Sequence, residues 1–289
     1  RNARIPAAGK GCETKMGVYL NSTSAYGLFL RDYESAYFVD KSSILVQLVP
    51  LVETDESRIE KSSLNQEKGQ KYVAITRPRR FGKSMAANML YAYYSLGCDS
   101  ADLFAGRKAA GDASFPVHLN RHHVIRLDIQ QFLESRHDLC TFIGEIEKAV
   151  IRELEESFPE CPGLAREPRL KNVLNEIFLL TRKGFIFIID EWDCVFRVAK
   201  EQKDIQKDYL DFLRGLFKEQ DYVELAYMTG ILPIKKYGEH SALNLFDEYS
   251  MIAPKGLGRY FGFTEEEVRA ECGRHGMDYA EMESWYDGY

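Results

Sequence analysis

The chain has 289 residues, 45% of them hydrophobic and 28% charged, enough apolar content to bury one large α/β domain and a small appendage. No run approaches the roughly 18 consecutive apolar residues that cross a bilayer, which disfavours a membrane protein. Six scattered cysteines without a Cys-x-x-Cys pair point to a reduced cytoplasm, and a formal net charge of −6 lacks the basic field of a nucleic-acid binder, so neither direct nucleic-acid binding nor membrane association is expected.

Residues 1–15 open on Arg1, carry Gly, Ala, Lys and Arg with little apolar content, and lack the apolar segment of a secretory signal. They read as a disordered or non-native leader ahead of Met16. A main domain is expected over residues 16–255, with a polar, flexible insertion at 53–71 that sets off a short N-terminal unit. Tyr72–Thr76 is β-prone, and from Ser84 the residues Met85, Met89, Leu90, Tyr93 and Leu96 recur at helical spacing. His123–Asp128 is a second strand. His122 and His123 are adjacent and would point to opposite faces of a strand, which speaks against a shared metal.

Leu139, Phe142, Ile143, Ile146, Val150 and Leu154 mark a long amphipathic helix. Val173, Leu174, Ile177, Phe178 and Leu180 mark another, ended by Gly184. Phe185–Ile189 is wholly apolar, as suits a central parallel strand covered on both faces. A helix with Leu210, Leu213, Leu216 and Phe217 follows, then a strand at Val223–Met228. Strands alternating with helices predict an α/β fold: a doubly wound, mostly parallel sheet with helices on both faces. Thr264-Glu-Glu-Glu267 is a capping box that opens a further helix. Residues 256–289 read as the start of a small C-terminal helical appendage. The aromatic end Trp285–Tyr289 suggests that a downstream segment is missing.

Two segments carry chemistry. Arg77-Pro-Arg-Arg-Phe-Gly-Lys-Ser84 matches the P-loop (Walker A) pattern at Gly82, Lys83 and Ser84, with Arg77 where the first glycine is usual, and it lies between a strand and a helix as the motif requires. Gly82 lets the backbone approach phosphates, and the helix start aims free N–H groups at them. Lys83 brings charge to the β- and γ-phosphates, and the Ser84 hydroxyl reaches a magnesium ion. Pro78 fixes the loop where glycine is absent. The nucleotide site is thus expected to comprise Pro78, Arg79, Arg80, Phe81, Gly82, Lys83, Ser84 and Met85, with Arg79 and Arg80 either on phosphate or solvated.

Phe185-Ile-Phe-Ile-Ile-Asp-Glu191 is the Walker B pattern, in which Asp190 and Ser84 hold the metal and Glu191 polarises the attacking water. Carboxyl ends of strands gather ligands in open α/β sheets, so Lys83 and Asp190 should converge there. Asp193 either caps the next element or contacts the site, and Trp192 suits packing. Thr229, ahead of Gly230 at the end of the strand beside Walker B, either senses the γ-phosphate as a catalytic group or is a plain turn hydroxyl. A P-loop NTPase fold with ATP and Mg2+ as cofactors follows, and the catalytic set is Lys83, Glu191 and Thr229.

With these segments placed, the chain resembles the predicted AAA-ATPase-like family of bacterial proteins, often fused to a C-terminal PD-(D/E)XK nuclease-like domain. The likeness rests on Met16–Asn21, Tyr37–Ser42, Arg77–Ser84, Ile189–Asp193, Met228–Ile231 and Phe261–Val268. It implies ATP binding by Gly82-Lys83-Ser84, hydrolysis assisted by Asp190 and Glu191, and a nuclease-like domain downstream. The chain departs from the family at Trp192 and Cys194-Val195, where a tyrosine and a proline-containing turn are frequent. The expected function is magnesium-dependent ATP hydrolysis, as a switch or motor for an attached effector, with a second copy of the chain in a homo-oligomer as a candidate partner. The alternatives are an ATP-gated scaffold with negligible turnover and a P-loop phosphotransferase. Arg259 and Arg197 are candidates for an arginine acting in trans, though each better suits a surface charge or a salt bridge.

Overall fold

The computed structural model describes residues 17–54, 70–134, 139–234 and 243–286. Strands β1 (Tyr72–Thr76), β2 (His123–Asp128), β3 (Phe185–Asp190), β4 (Val223–Gly230) and β5 (Asp247–Tyr249) form one sheet in the order β2-β3-β4-β1-β5. Every neighbouring pair is parallel. From β1 the chain crosses to the far edge to lay down β2, then returns strand by strand and passes β1 to reach β5. Because crossovers are right-handed, that reversal puts the helix after β1 on one face and those after β2 and β3 on the other.

The first face carries α1 (Ser24–Tyr33), α2 (Ile44–Leu48), α3 (Lys83–Tyr94) and α4 (Ala101–Phe104); the second carries α5 (Ile129–Glu134), α6 (Phe142–Ser157), α7 (Leu170–Thr181), α8 (Cys194–Val198) and α9 (Lys203–Phe217). The alternation within β3 shows why its sequence had to be apolar throughout. Phe185, Phe187 and Ile189 enter the core under α6, α7 and α9, while Ile186 and Ile188 enter the core under α3. All six residues of the strand are buried. The expected doubly wound parallel sheet is the observed one.

The N-terminal unit is not set apart from the body. Residues 17–21 lie against edge strand β2, where Leu20 bridges Ile125, Asn21 N–H donates to Val124 O at 3.0 Å, and Val124 N–H donates back to the Asn21 Oδ1 at 2.9 Å. The Glu153 carboxylate accepts the N–H groups of Val18, Tyr19 and Leu20 at 2.8–2.9 Å. A free sheet edge is thereby covered. Helix α1 then packs on α3, and Asn88 Nδ2 donates to Asp32 Oδ2 at 2.8 Å.

Several boundaries differ from the sequence expectation. Helix α3 ends at Tyr94, and Ser95 turns extended to bridge His122, which leaves Leu96 outside the helix and exposed. Helix α6 starts at Phe142, after Leu139. Helix α7 ends at Thr181, with Arg182 rather than Gly184 taking the left-handed position at φ 59°. Gly184 serves a close approach instead, since an added Cβ would lie 2.7 Å from Glu224 Cγ. Leu180 is exposed. Strand β5 was not anticipated, because Asp247-Glu-Tyr249 has no apolar alternation and is recruited only by pairing with β1. At the flanks of the polar insertion, Glu53 is buried, its N–H donates to Glu224 O at 2.9 Å, and Lys71 Nζ lies 3.4 Å from its carboxylate. Those flanks belong to the body, while residues 55–69, like 1–16 and 287–289, lie outside the described residues.

At the C-terminal end, α10 (Glu265–His275) and α11 (Tyr279–Tyr286) form the expected helical appendage. The capping box is present: Glu267 N–H donates to Thr264 Oγ1 at 3.3 Å, and Thr264 N–H donates to Glu267 Oε2 at 2.8 Å. Thr264→Ala should therefore lower stability by about 1 kcal/mol. Denaturant unfolding would check this, and a loss near zero would mean that the cap does not stabilise the folded chain. Among the described residues no helix is long and apolar enough to cross a membrane.

Candidate functional site

The loop after β1 is built on two left-handed residues. Gly82, at φ 77°, is the N-cap of α3, and Arg80 holds φ 69° without being glycine. Arg77 stands where the pattern has its first glycine, and it is fixed by its own contacts. It is buried, its N–H donates to Gly230 O at 3.1 Å, and its guanidinium donates to Thr76 O at 2.9 Å and Tyr249 O at 2.7 Å. It also lies 5.6 Å from the centre of the Phe261 ring. An arginine here ties the ends of β1, β4 and β5 together, so it supports the loop from behind. Pro78, Arg79 and Arg80 are exposed, Phe81 and Met85 are half-buried, and Ser84 stands exposed on the first turn of α3.

Lys83 is the buried cation of the loop. Its Nζ reaches back across the turn to donate to Pro78 O at 2.9 Å. Burial pushes its pKa down, and Glu191, Asp190 and Asp193 oppose that shift in this order. Lys83 and the acids after β3 therefore share one electrostatic neighbourhood, at the carboxyl edge of the sheet.

Strand β3 ends in Asp190, which is buried; its Oδ1 accepts Glu191 N–H at 3.1 Å and the Thr229 hydroxyl in a close contact. Thr229 is fully buried on β4, the strand between β1 and β3. Glu191 turns out of the strand at φ 53°, a left-handed value unusual for a glutamate. Its carboxylate pairs with Arg197 on α8. Burial raises the Glu191 pKa, and Arg197 and then Lys83 hold it back. Arg197 also stands 3.5 Å from Asp193 Oδ2, so it acts as a salt-bridge partner within the chain. Arg259 is exposed on its own segment.

Asp193 does something neither sequence reading had offered. It sits at the N-cap of α8 without a side-chain capping bond. Its two oxygens instead accept Ile231 N–H at 3.2 Å and Leu232 N–H at 3.0 Å, fastening the loop after β4 to the loop after β3. Trp192 is packing: its ring is buried edge-on against Phe196, and its backbone N–H donates to Thr229 O at 3.0 Å. Gly230 is required by this contact, because a Cβ there would lie 2.5 Å from the Trp192 indole nitrogen.

One acidic residue was placed by the sequence but given no role. Asp128 ends β2 in register with Asp190, and its carboxylate accepts Gln131 N–H at 3.1 Å. Burial raises its pKa, the Gln131 bond opposes, and Asp190 adds to the rise. The signal available was an acid closing a β-run, as Asp190 does. Only the sheet order makes the two neighbours.

Among the described residues no group of three His, Cys, Asp or Glu side chains gathers to cage a metal. Magnesium does not need one, since it keeps several waters and takes one or two carboxylates together with phosphate oxygens. The donor chemistry of Asp190 and Ser84, a carboxylate and an exposed hydroxyl, fits that hard cation. The model of the predicted AAA-ATPase family matches residues 59–238, more than half of the chain, a span that includes the loop Arg77–Ser84 and the Asp190–Glu191 pair. The chain belongs to that family. No curated protein matches it. Membership of a family of predicted ATPases suggests nucleotide binding, and the parallel sheet with its loop-to-helix turn is consistent with a P-loop NTPase fold.

Proposed function

We propose that the chain binds ATP with magnesium at the loop Pro78–Met85 and hydrolyses it, serving as a switch or motor for an attached effector. The observation that supports this most is the convergence of buried Lys83 with Asp190, Glu191 and Asp193 at one sheet edge. A buried lysine among three carboxylates has a use when a polyphosphate lies between them. Backbone N–H groups at the start of α3 and the Lys83 ammonium bind the phosphates. Ser84 and Asp190 would hold magnesium, which supplies charge neutralisation between the phosphates when bound. Thr229 donates to Asp190 and so orients that carboxylate, a positioning role rather than direct contact with the γ-phosphate. Glu191 draws the proton of the attacking water. Arg197 fixes where the Glu191 carboxylate points.

An acid next to Asp190 favours water as the acceptor over a substrate hydroxyl, which sets hydrolysis above phosphotransfer. Phosphate release from ATP and magnesium alone tests the proposal. Release that needs a further acceptor would make the chain a phosphotransferase, and binding without release would make it an ATP-gated scaffold.

The pH profile carries a second expectation. Glu191 must be ionised to accept a proton, and burial raises its pKa above the ordinary carboxylate value. The acid limb of kcat/KM, which reports the free enzyme, should thus fall at a higher pH than for an exposed glutamate. Glu191→Gln should lose that limb. A limb that persists unchanged in the variant would assign it to another group.

A further inference from the structure

The amino edge of the sheet, opposite the Lys83 loop, holds a cluster that the nucleotide reading does not use. His122 leads into β2, Glu224 is the second residue of β4, Tyr94 ends α3, and His118 lies four residues ahead of His122. His122 and Glu224 are buried and His118 is half-buried. His123, the next residue, turns the other way and bonds Asn21.

The partners of each imidazole fix where it carries its proton. His122 Nδ1 lies 2.6 Å from Glu224 Oε2, and a carboxylate only accepts, so the Nδ1–H of His122 donates to it. His118 has a backbone acceptor at Val49. Its Nδ1 faces His122 Nε2 at 2.9 Å, so the bond to Val49 falls to Nε2–H. In neutral rings both facing nitrogens therefore carry lone pairs. Two acceptors at that separation need a cation between them, either a proton or a metal ion.

Further observations favour the metal. Tyr94 packs edge-on against His122 with ring centres 5.8 Å apart, and its hydroxyl is buried with no hydrogen-bond partner among the described residues. A shared proton leaves that hydroxyl unpaired, whereas a metal ion gives it something to coordinate. Glu224 on His122 is also the carboxylate–histidine arrangement that orients a metal ligand and raises its basicity. Burial, and then His122, lower the His118 pKa to about 4, so an extra proton on that ring is disfavoured near neutral pH. We infer that His118 Nδ1 and His122 Nε2 bind a borderline divalent metal ion, Zn2+ by its preference for imidazole, with Glu224 bracing His122 and the Tyr94 hydroxyl as a further donor. Nitrogens 2.9 Å apart can both lie about 2.0–2.1 Å from one ion, the usual zinc–nitrogen distance. Water fills the remaining positions from the half-exposed side of His118. The ion fastens the end of α3 to β4 through the segment that leads into β2. It belongs to the scaffold, and the inference does not rest on the nucleotide reading.

Titration calorimetry of the whole chain with zinc chloride, in excess magnesium to fill any site for hard cations, tests this. The parent should show a zinc site that His118→Ala and His122→Gln lose. Glu224→Gln should weaken it about tenfold, the lower end of the range for an outer partner of a metal ligand. His123→Gln, on the other side of the chain, should leave it unchanged. Zinc should also raise the melting temperature of the parent and not that of His118→Ala. A parent that binds no zinc overturns the site, and so does His118→Ala binding it as tightly as the parent. Nitrogen NMR reads the ring protons directly: an Nε2–H on His122 that persists in saturating zinc gives the gap to a proton and overturns the site as well. Should both histidine variants fail to fold, Glu224→Gln decides, since weaker zinc binding supports the site and parental binding overturns it.

Discussion

Glu191→Gln should leave ATP affinity near the parental value and slow single-turnover hydrolysis by about 10²-fold or more, the range for a positioned acid–base group. The amide keeps the shape of the side chain and removes the charge that polarises water. Lys83→Ala should behave differently. That ammonium is buried at the loop among Glu191, Asp190 and Asp193, so its loss removes attraction for the ground-state phosphates and leaves three acids facing them. Binding and turnover should fall together. The contrast assigns roles that neither variant assigns alone, since a binding defect lowers affinity and a chemical defect does not. Arg197 adds a qualification with physical content: it pairs with Glu191 and stands beside Asp193, so Glu191→Gln also frees the arginine. A binding isotherm measured beside the rate shows whether that matters. Parental hydrolysis by Glu191→Gln would move the catalytic carboxylate to Asp193 or Asp128, or leave the chain a binding module.

Acidification should destabilise the fold well before its carboxylates are fully protonated. His123 is buried beneath Phe158 and Phe185, its ring nitrogen shares a 3.0 Å hydrogen bond with Asn21, and burial lowers its pKa from 6.5 to about 4, with Lys183 adding to the fall. His118 is likewise lowered to about 4, by burial first and by His122 second, and its ring bonds His122 at 2.9 Å. A histidine with a depressed folded pKa binds fewer protons folded than unfolded. The stability it contributes is fully present above pH 6.5 and is lost as pH falls toward about 4. For His123 the loss is on the order of 3 kcal/mol, and less for the more exposed His118. Urea unfolding between pH 7 and pH 4 measures it. His123→Gln should flatten the slope below pH 6.5; an unchanged slope would show that His123 does not gate acid unfolding.

Much of the architecture was legible because periodicity reports burial. The wholly apolar run ending in Asp190 announced a strand covered on both faces, and Gly82-Lys83-Ser84 between a β-run and a helical pattern announced the turn that starts α3. Thr264 and Glu267 named their own helix start, since a capping box needs only four consecutive residues. These are local facts, decided by neighbours in sequence.

What the sequence by itself determined is thus the alternation of strands and helices, the turn at Gly82 that starts α3, the acid pair closing β3 and the cap at Thr264. The tertiary structure decided which ends meet. It inserted β4 between β1 and β3, so Thr229 bonds Asp190 directly, and it set Asp128 beside Asp190. It turned Arg77 into a tie between strand ends and Asp193 into a clasp on residues 231 and 232. It also folded residues 38–41 and 260–263 over the loop to make a pocket that no stretch of sequence contains. The reason is range: dihedral preference, capping and amphipathic spacing act over a few residues. Sheet order and closure are fixed by which buried faces and polar groups find partners far along the chain.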